Sequence, residues 1–124
     1  MTKLQRVGQI SMTVHDVDRA VAFYRDVLGL PFVWQTAGMA FFMCGDVRLM
    51  LSVPEKAEFD HPGSIIYYAV DDIYETYEEL KSKGVEFHGD PHEIGKLGSV
   101  TVYMAFFNDS EGNMLAIQAE VSDK

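Results

Sequence analysis

The second half of this chain repeats the pattern of the first half. Few residues are identical between the halves, but the order and the type of the predicted elements agree, which scattered chance matches do not produce. Because each half is too small to bury a core of its own, the duplication predicts two similar modules within one domain. The matched residues are Ile10 with Ile66, Val14 with Val70, Asp16 with Asp72, Gly29 with Gly84, and Met39–Phe42 with Met104–Phe107.

The first half carries the local signals of one strand, one helix and three further strands. Apolar and polar residues alternate from residue 9 to residue 14, which is typical of a half-buried strand. Asp16 or Asp18 can cap the helix that follows, and Gly29 ends it. Three strands are predicted at 30–36, 39–44 and 46–53, with a hairpin turn at Gly45-Asp46.

The second half gives the same order of elements. Asp71 or Asp72 can cap its helix, and Gly84 ends it. Strands are predicted at 85–88, 100–107 and 113–119, and the glycine-rich segment 89–99 is predicted to be a mobile loop. The sequence therefore predicts a single α+β domain, residues 1–124, with a βαβββ module at 5–53, a linker at 54–63 and a second βαβββ module at 64–120.

Charge and cysteine content exclude several classes of function. The chain of 124 residues has 10 Lys and Arg against 19 Asp and Glu, a net charge of −9, which disfavours binding to nucleic acid or to an anionic membrane. Cys44 is the only cysteine, so neither a disulfide framework nor a cysteine-only metal site is expected. No apolar stretch is long enough to span a membrane, and we expect a cytoplasmic protein.

Three motifs resemble the vicinal oxygen chelate superfamily, which includes glyoxalases, bleomycin-resistance proteins and dioxygenases. They are Val14–Val17 leading into Ala22–Leu30, then Lys83–Val85, then Phe107–Asn113. The resemblance covers almost the whole chain and implies that the two modules curl their largely antiparallel mixed sheets around one shared, cupped cavity. It also implies a homodimer and a small-molecule ligand or substrate.

The same resemblance places four possible metal positions in this chain. They fall on Gln9, Met50, Ile65 and Ala116, and the register between residues 47 and 52 leaves Leu49 as the alternative to Met50. Only Gln9 offers an oxygen ligand, whereas a divalent site of this kind needs three or four nitrogen or oxygen ligands. We therefore expect no metal and no other cofactor.

A cavity lined by apolar side chains and a few polar ones suits a small organic ligand. Alternation along the strands and the resemblance together point to a set of lining residues. The predicted ligand-binding residues are Gln9, Ser11, Thr13, Trp34, Arg48, Met50, Tyr67, His92, Tyr103 and Met114, and the same alternation adds Ser52, Ile65 and Gln118 to the lining.

Several of these residues have a second interpretation. Met50 and Met114 can instead fill the space as core residues, and Gln9 can be a core amide satisfied by the neighbouring strand. Arg48 holds a ligand carboxylate or phosphate, or else pairs with a surface carboxylate. The aromatic residues Trp34, Phe41, Tyr67 and Tyr103 stack on a planar ligand, or else pack in the core or in a dimer interface.

The sequence assigns no reaction. His92 is the one candidate for a catalytic proton shuttle, with a solvated loop histidine as the alternative. The leading hypothesis is a metal-free protein that binds a small, partly hydrophobic ligand in its cup. The alternatives are a metal-dependent lyase, isomerase or dioxygenase with unusual ligands such as Gln9, His92 and Glu93, and a module that only mediates protein interaction.

Overall fold

The computed structural model describes residues 4–122, so both ends of the predicted 1–124 domain lie outside the described residues. The chain divides into two compact units, with the boundary between Gly63 and Ser64. Each unit contains one strand, one main helix and three further strands in that order, which confirms the predicted α+β class with two βαβββ modules. The grouping of these modules into a single domain stays a prediction.

The first unit is a four-stranded sheet with one helix on one face. The sheet order is β1-β4-β3-β2, in which β1 runs parallel to β4 and the other pairs are antiparallel. The elements are β1 (Gln9–Thr13), α1 (Val17–Ala22) continued by a π-helical turn (Phe23–Val27), β2 (Phe32–Gln35), β3 (Met39–Cys44), β4 (Val47–Ser52) and a short 3-10 turn (Ala57–Phe59).

Alternation along these strands decides which face becomes the core of the first unit. Phe42, Leu49 and Leu51 lie on the face that packs against α1 and are almost fully buried, and Tyr24 of the helix meets them there. Their neighbours along the chain point to the opposite face, which no helix of the first unit covers. We call this surface the helix-free face of the first sheet.

The helix of the first unit contains one residue more than its counterpart. Asp16 caps it by accepting a hydrogen bond from the Arg19 amide, and near its other end the Leu28 amide donates to the Phe23 carbonyl, five residues back. Such a π-helical turn accommodates one inserted residue in an α-helix. The inserted residue explains why the repeat slips by one position. The capping residues Asp16 and Asp72 match, but Gly29 follows its cap by one residue more than Gly84 does.

The second unit repeats the sheet with the order β5-β8-β7-β6, again with one parallel pair, β5 with β8. Asp72 caps the helix by accepting from the amides of Tyr74 and Glu75, and the charged side chains of this helix are exposed. The elements are β5 (Ile66–Ala69), α2 (Ile73–Ser82), β6 (His92–Leu97), β7 (Val100–Asn108) and β8 (Met114–Ser122).

The prediction for residues 85–99 was wrong. Segment 85–88 forms only an isolated bridge from Phe87 to Phe107, and the segment 89–99, predicted as a mobile loop, contains strand β6. Leu97 pairs with Val100, so the two residues between them form a tight hairpin turn, with Gly98 at φ 66°. Glycine permits this backbone conformation, and the Gly-Ser pair was the hairpin signal that the overall glycine content obscured.

Neither main helix is suited to crossing a bilayer. Among residues 4–122, no helix combines the length and the apolar character that a membrane span needs.

Candidate functional site

Trp34 reaches the helix-free face of the first sheet because β2 contains a bulge. Phe32 pairs with Phe42, whose ring lies on the helix-packed face, whereas Trp34 pairs with Phe41 on the opposite face. Simple alternation would place Phe32 and Trp34 on one face, but the extra residue between them, Val33, re-aims the strand. The indole is 55% exposed and stacks on the Phe41 ring at 5.9 Å with an interplanar angle of 18°.

Arg48 and Gln9 complete this cluster from the two neighbouring strands. They are partners in the parallel register of β1 and β4, and the Arg48 Nε donates to the Gln9 Oε1 at 2.6 Å. The guanidinium carbon of Arg48 lies 5.6 Å from the centre of the Phe41 ring, within range of a cation–π contact. The amide nitrogen of Gln9 lies 3.9 Å from the Met50 sulfur, which faces the same side.

Two open hollows surround this cluster on the same sheet face. One has a volume of about 570 Å³ and is lined by Gln9, Val33, Trp34, Phe41, Arg48 and Met50. The other has a volume of about 400 Å³ and is lined by Arg6, Gly8, Gln9, Met43, Asp46 and Arg48. The Arg6 Nη1 donates to the backbone oxygen of Asp46 at 3.1 Å. Two arginines and one aspartate therefore line the second hollow.

A third hollow, of about 660 Å³, lies further along the same face. Met50 lines both this hollow and the aromatic one, so they are neighbours along β4. The hydroxyls of Ser11, Thr13 and Ser52 are here, together with residues of the segment after β4. The complete lining is Ser11, Thr13, Gly38, Met39, Met50, Ser52, Val53, Pro54, Glu55, His61 and Gly63.

Glu55 and His61 in this hollow, and Arg6 and Asp46 in the second hollow, are among the lining residues that sequence reasoning missed. Segment 54–63 was predicted as a linker, and its only described regular structure is the short turn Ala57–Phe59. The segment is tied back to the first unit by a contact of 3.0 Å between His15 Nε2 and Asp60 Oδ1. No local pattern signals this contact, because it joins residues far apart in the sequence.

In the second unit, Tyr67 and Met114 lie on the sheet face opposite α2. Tyr67 is in register with Ala116 and makes an edge-to-face contact with Phe106, with ring centres 5.8 Å apart. Neither lines the hollow of about 520 Å³ in this unit, which contains the predicted Gln118. Its complete lining is Ile94, Gly95, Lys96, Leu97, Val102, Met104, Gln118 and Glu120.

His92 lies in strand β6 rather than in a mobile loop. It pairs with Met104, which places it on the same side of the second sheet as Tyr67, and its Nδ1 lies 3.1 Å from the Asp90 carbonyl oxygen. Glu93 pairs with Tyr103, on the opposite face. His92 and Glu93 therefore do not converge on one point, as a shared metal site would require.

The prediction that Tyr103 belongs to the binding face is corrected by the structure. Buried residues Ala105 and Phe107 share its face of β7, and its ring contacts Tyr74 of α2 at 6.5 Å between centres. Tyr103 therefore packs beneath the helix. Alternation along β7 from Phe106, on the helix-free side, would have given this assignment from the sequence.

The residues at the four family metal positions do not fit a divalent ion. Met50 offers only a thioether, and Ile65 and Ala116 offer no ligand atom at all. The one suitable atom, Gln9 Oε1, already accepts a hydrogen bond from a cation, Arg48. Within residues 4–122, no three His, Cys, Asp or Glu side chains are grouped so that they could hold a metal ion.

Comparison with known proteins gives one consistent result. Residues 6–117 match the model of the Glyoxalase/Bleomycin resistance protein/Dioxygenase superfamily. The chain is 32% identical to the uncharacterized protein YraH of Bacillus subtilis (strain 168), over 88% of this chain and 94% of that protein.

Solved structures with 22% sequence identity share the fold. A member of the same superfamily from Sphaerobacter thermophilus DSM 20745 has a TM-score of 0.78, covering 94% of this chain and 98% of its own. A lactoylglutathione lyase from Agrobacterium tumefaciens has a TM-score of 0.73, covering 95% of this chain and 96% of its own.

Proposed function

This chain belongs to the Glyoxalase/Bleomycin resistance protein/Dioxygenase superfamily, and from that premise we propose that it binds a small, partly hydrophobic organic ligand without a catalytic metal. The proposed site is the helix-free face of the first sheet. The observation that supports it most is the convergence of Trp34, Phe41, Met50 and Arg48 beside hollows of several hundred Å³. Apolar walls with a few oriented polar groups are how proteins usually hold small organic molecules.

The absence of a catalytic metal is supported by the chemistry of the side chains. Gln9 Oε1 is held by Arg48, and a cation placed at that oxygen would be repelled by the guanidinium group. The test is to incubate the purified protein with Ni, Zn, Fe or Mn salts, remove the excess and measure the bound metal. We expect no stoichiometric retention. One metal ion retained per chain, and lost in a Gln9→Ala variant, would contradict the proposal.

Ligand binding is tested by identifying what the protein carries. Native mass spectrometry of protein purified under mild conditions, followed by analysis of the released small molecules, is expected to show a non-covalent adduct. The matched control is the Trp34→Ala, Arg48→Ala double variant, which is expected to lose the adduct. A broad ligand screen without any thermal shift, in protein that also carries no adduct, would overturn the proposal.

We propose further that the protein works as a homodimer, as the sequence resemblance implied, and that it is cytoplasmic, as expected from a sequence with no apolar stretch long enough to span a membrane. Sedimentation equilibrium is expected to give twice the chain mass, and fractionation of cells is expected to recover the protein with cytoplasmic markers. A monomer at micromolar concentration would contradict the first claim, and recovery in another compartment would contradict the second. The metal-dependent alternative is not favoured, since His92 and Glu93 face opposite sides of β6.

A further inference from the structure

The guanidinium group of Arg48 is oriented but not neutralised. Its Nε is occupied by Gln9 Oε1, and the group lies against Phe41. None of the hydrogen bonds among residues 4–122 uses its two terminal nitrogens, and no carboxylate of those residues pairs with it. In a chain of 19 acidic residues, an arginine held in this way on an open face lacks the counter-charge that it would usually acquire.

A second arginine lies close to Arg48 and adds positive charge. Arg6 lines the same hollow of about 400 Å³ as Arg48, and its described hydrogen bonds go to backbone oxygens of Val7 and Asp46. Asp46 also lines the hollow, so its lining residues include two basic residues and one acidic residue. An oxyanion with two acceptor oxygens matches the fork of an arginine side chain.

The neighbouring hollow supplies the surface for an aromatic ring. Arg48 and Gln9 line both hollows, so a ligand with its anionic group at Arg48 would extend directly towards Trp34, Phe41 and Met50. The Trp34 ring already stacks on Phe41 and remains more than half exposed. Aromatic faces and a methionine sulfur both form favourable contacts with a planar ring.

We infer that the ligand of this face is a planar aromatic compound that carries a carboxylate or phosphate group. The oxyanion binds the terminal nitrogens of Arg48, with Arg6 beside it, and the ring lies against Trp34. This inference rests on the proposed function, since it specifies the chemical class of the ligand bound at the same face. The hydrogen bond from Arg48 to Gln9 leaves the terminal nitrogens of Arg48 free for the oxyanion.

The sole tryptophan of the chain gives a direct probe of this site. In a ¹H–¹⁵N correlation spectrum, Trp34 contributes the single indole signal, so its shift reports binding at this face. The probes are 2-naphthoate, its neutral amide 2-naphthamide, and cyclohexanecarboxylate, which keeps the charge and lacks the aromatic ring. We expect naphthoate to shift the signal and to bind about tenfold or more tightly than naphthamide, since a charged hydrogen bond adds that factor. We also expect it to bind more tightly than cyclohexanecarboxylate, which has no aromatic ring to lie against Trp34.

Two variants that each remove one positive charge distinguish recognition by Arg48 from the effect of net charge. Arg48→Gln is expected to reduce naphthoate affinity to that of the amide. Arg25→Gln changes the net charge equally but removes an exposed helix residue that pairs with Asp26, and naphthoate affinity should stay unchanged. Phenyl phosphate and benzoate, compared in the same way, distinguish a phosphate ligand from a carboxylate ligand.

The outcomes distinguish this inference from the proposed function. Equal affinity for naphthoate and naphthamide, with the indole signal shifted by both, would overturn the requirement for an anionic group. The proposed function, ligand binding at this face, would stand. An equal loss of naphthoate affinity in the Arg25 variant would overturn the role assigned to Arg48. If no aromatic anion shifts the indole signal, the inference fails, and the proposed function is then decided by the adduct and the ligand screen described above.

Discussion

At the scale of single residues, Asp109 holds together the turn between β7 and β8. This carboxylate is 7% exposed and accepts hydrogen bonds from the amides of Glu111 and Asn113 and from the Asn113 side chain, at 2.8 to 2.9 Å. An Asp side chain that accepts hydrogen bonds from backbone amides two and four residues further along the chain stabilises a turn. The turn motif Phe107–Asn113 is thus explained by one buried acceptor.

Replacing Asp109 with Ala is expected to destabilise the protein by about 2–3 kcal/mol, because three donors lose a charged acceptor. Urea unfolding followed by circular dichroism measures the loss. Asp109→Asn retains one acceptor oxygen and should lose less. A change within experimental error for the Ala variant would show that solvent replaces the carboxylate at no cost.

Tyr77 provides the clearest pH-dependent contact. Its hydroxyl donates to Asp90 Oδ1 at 2.8 Å, and this hydrogen bond, followed by desolvation, raises the pKa of Tyr77 above its ordinary value; nearby Lys81 acts in the opposite direction. A raised pKa in the folded state means that folding favours the neutral phenol. The stabilising contribution is therefore complete below the ordinary pKa of a tyrosine, about 10, and is lost as the pH rises through the higher folded value.

We expect the wild type to be more stable than Tyr77→Phe at about pH 8, and this advantage to shrink or reverse above about pH 11. Urea midpoints for both proteins across that range give the measurement. Tyr74→Phe is the matched control on the same helix, because the Tyr74 hydroxyl has no hydrogen-bond partner among residues 4–122. An advantage of wild type over Tyr77→Phe that stays constant with pH would refute the assigned contact.

At the scale of elements, α2 was predictable because its signals are local. Asp72 supplies the cap, the spacing of Ile73, Tyr77 and Leu80 buries one stripe, and Gly84 at φ 94° ends the helix. Each of these signals acts within a few residues of the chain. The sequence had left Asp71 and Asp72 as alternatives for the cap, and the hydrogen bonds from Tyr74 and Glu75 decide for Asp72.

Asp72→Ala is expected to cost about 1 kcal/mol of unfolding free energy, the usual loss for a helix cap. Asp71→Ala is the matched control, since it removes an equal charge one residue earlier without removing the cap. The two variants are compared by thermal and urea unfolding. Equal losses in both would assign the effect to charge rather than to capping.

The elements and contacts that sequence analysis missed depend on distant residues. β6 was hidden because Pro91, Gly95 and Gly98 give the segment the composition of a loop, while its pairing with β7 determines the strand. Trp34 and Arg48 were identified as candidates, but the bulge that aims Trp34 and the Arg48–Phe41 contact arise only when three strands come together. The wrong placement of Tyr103 was avoidable. The alternation that was applied to β4, if applied also to β7, puts Tyr103 on the same face as Ala105 and Phe107.

At the scale of the whole molecule, the two units share the same arrangement of strands and helix but differ in the residues on their helix-free sheet faces. Phe41 and Phe106 occupy matching places in the two sheets, in register with Met50 and Ala116 respectively. Beside them the first sheet carries Arg48 and the second carries Met114. Differences on these faces leave the helix packing in place, because Phe42, Leu49 and Phe107, which pack beneath the helices, lie on the opposite face of each sheet.

The net charge of −9 has a consequence for stability that no single contact describes. Like charges repel one another more strongly in the compact state, and added salt screens that repulsion. We expect the melting temperature to rise by a few degrees as NaCl increases from about 0.02 M to about 0.5 M, where the screening length falls to a few ångströms. Glu58 and Glu86 are exposed and make no hydrogen bond or ion pair among residues 4–122. Replacing both with Gln should raise the melting temperature at low salt and reduce its dependence on salt, whereas a melting temperature that falls with salt would mean that attractive pairs dominate.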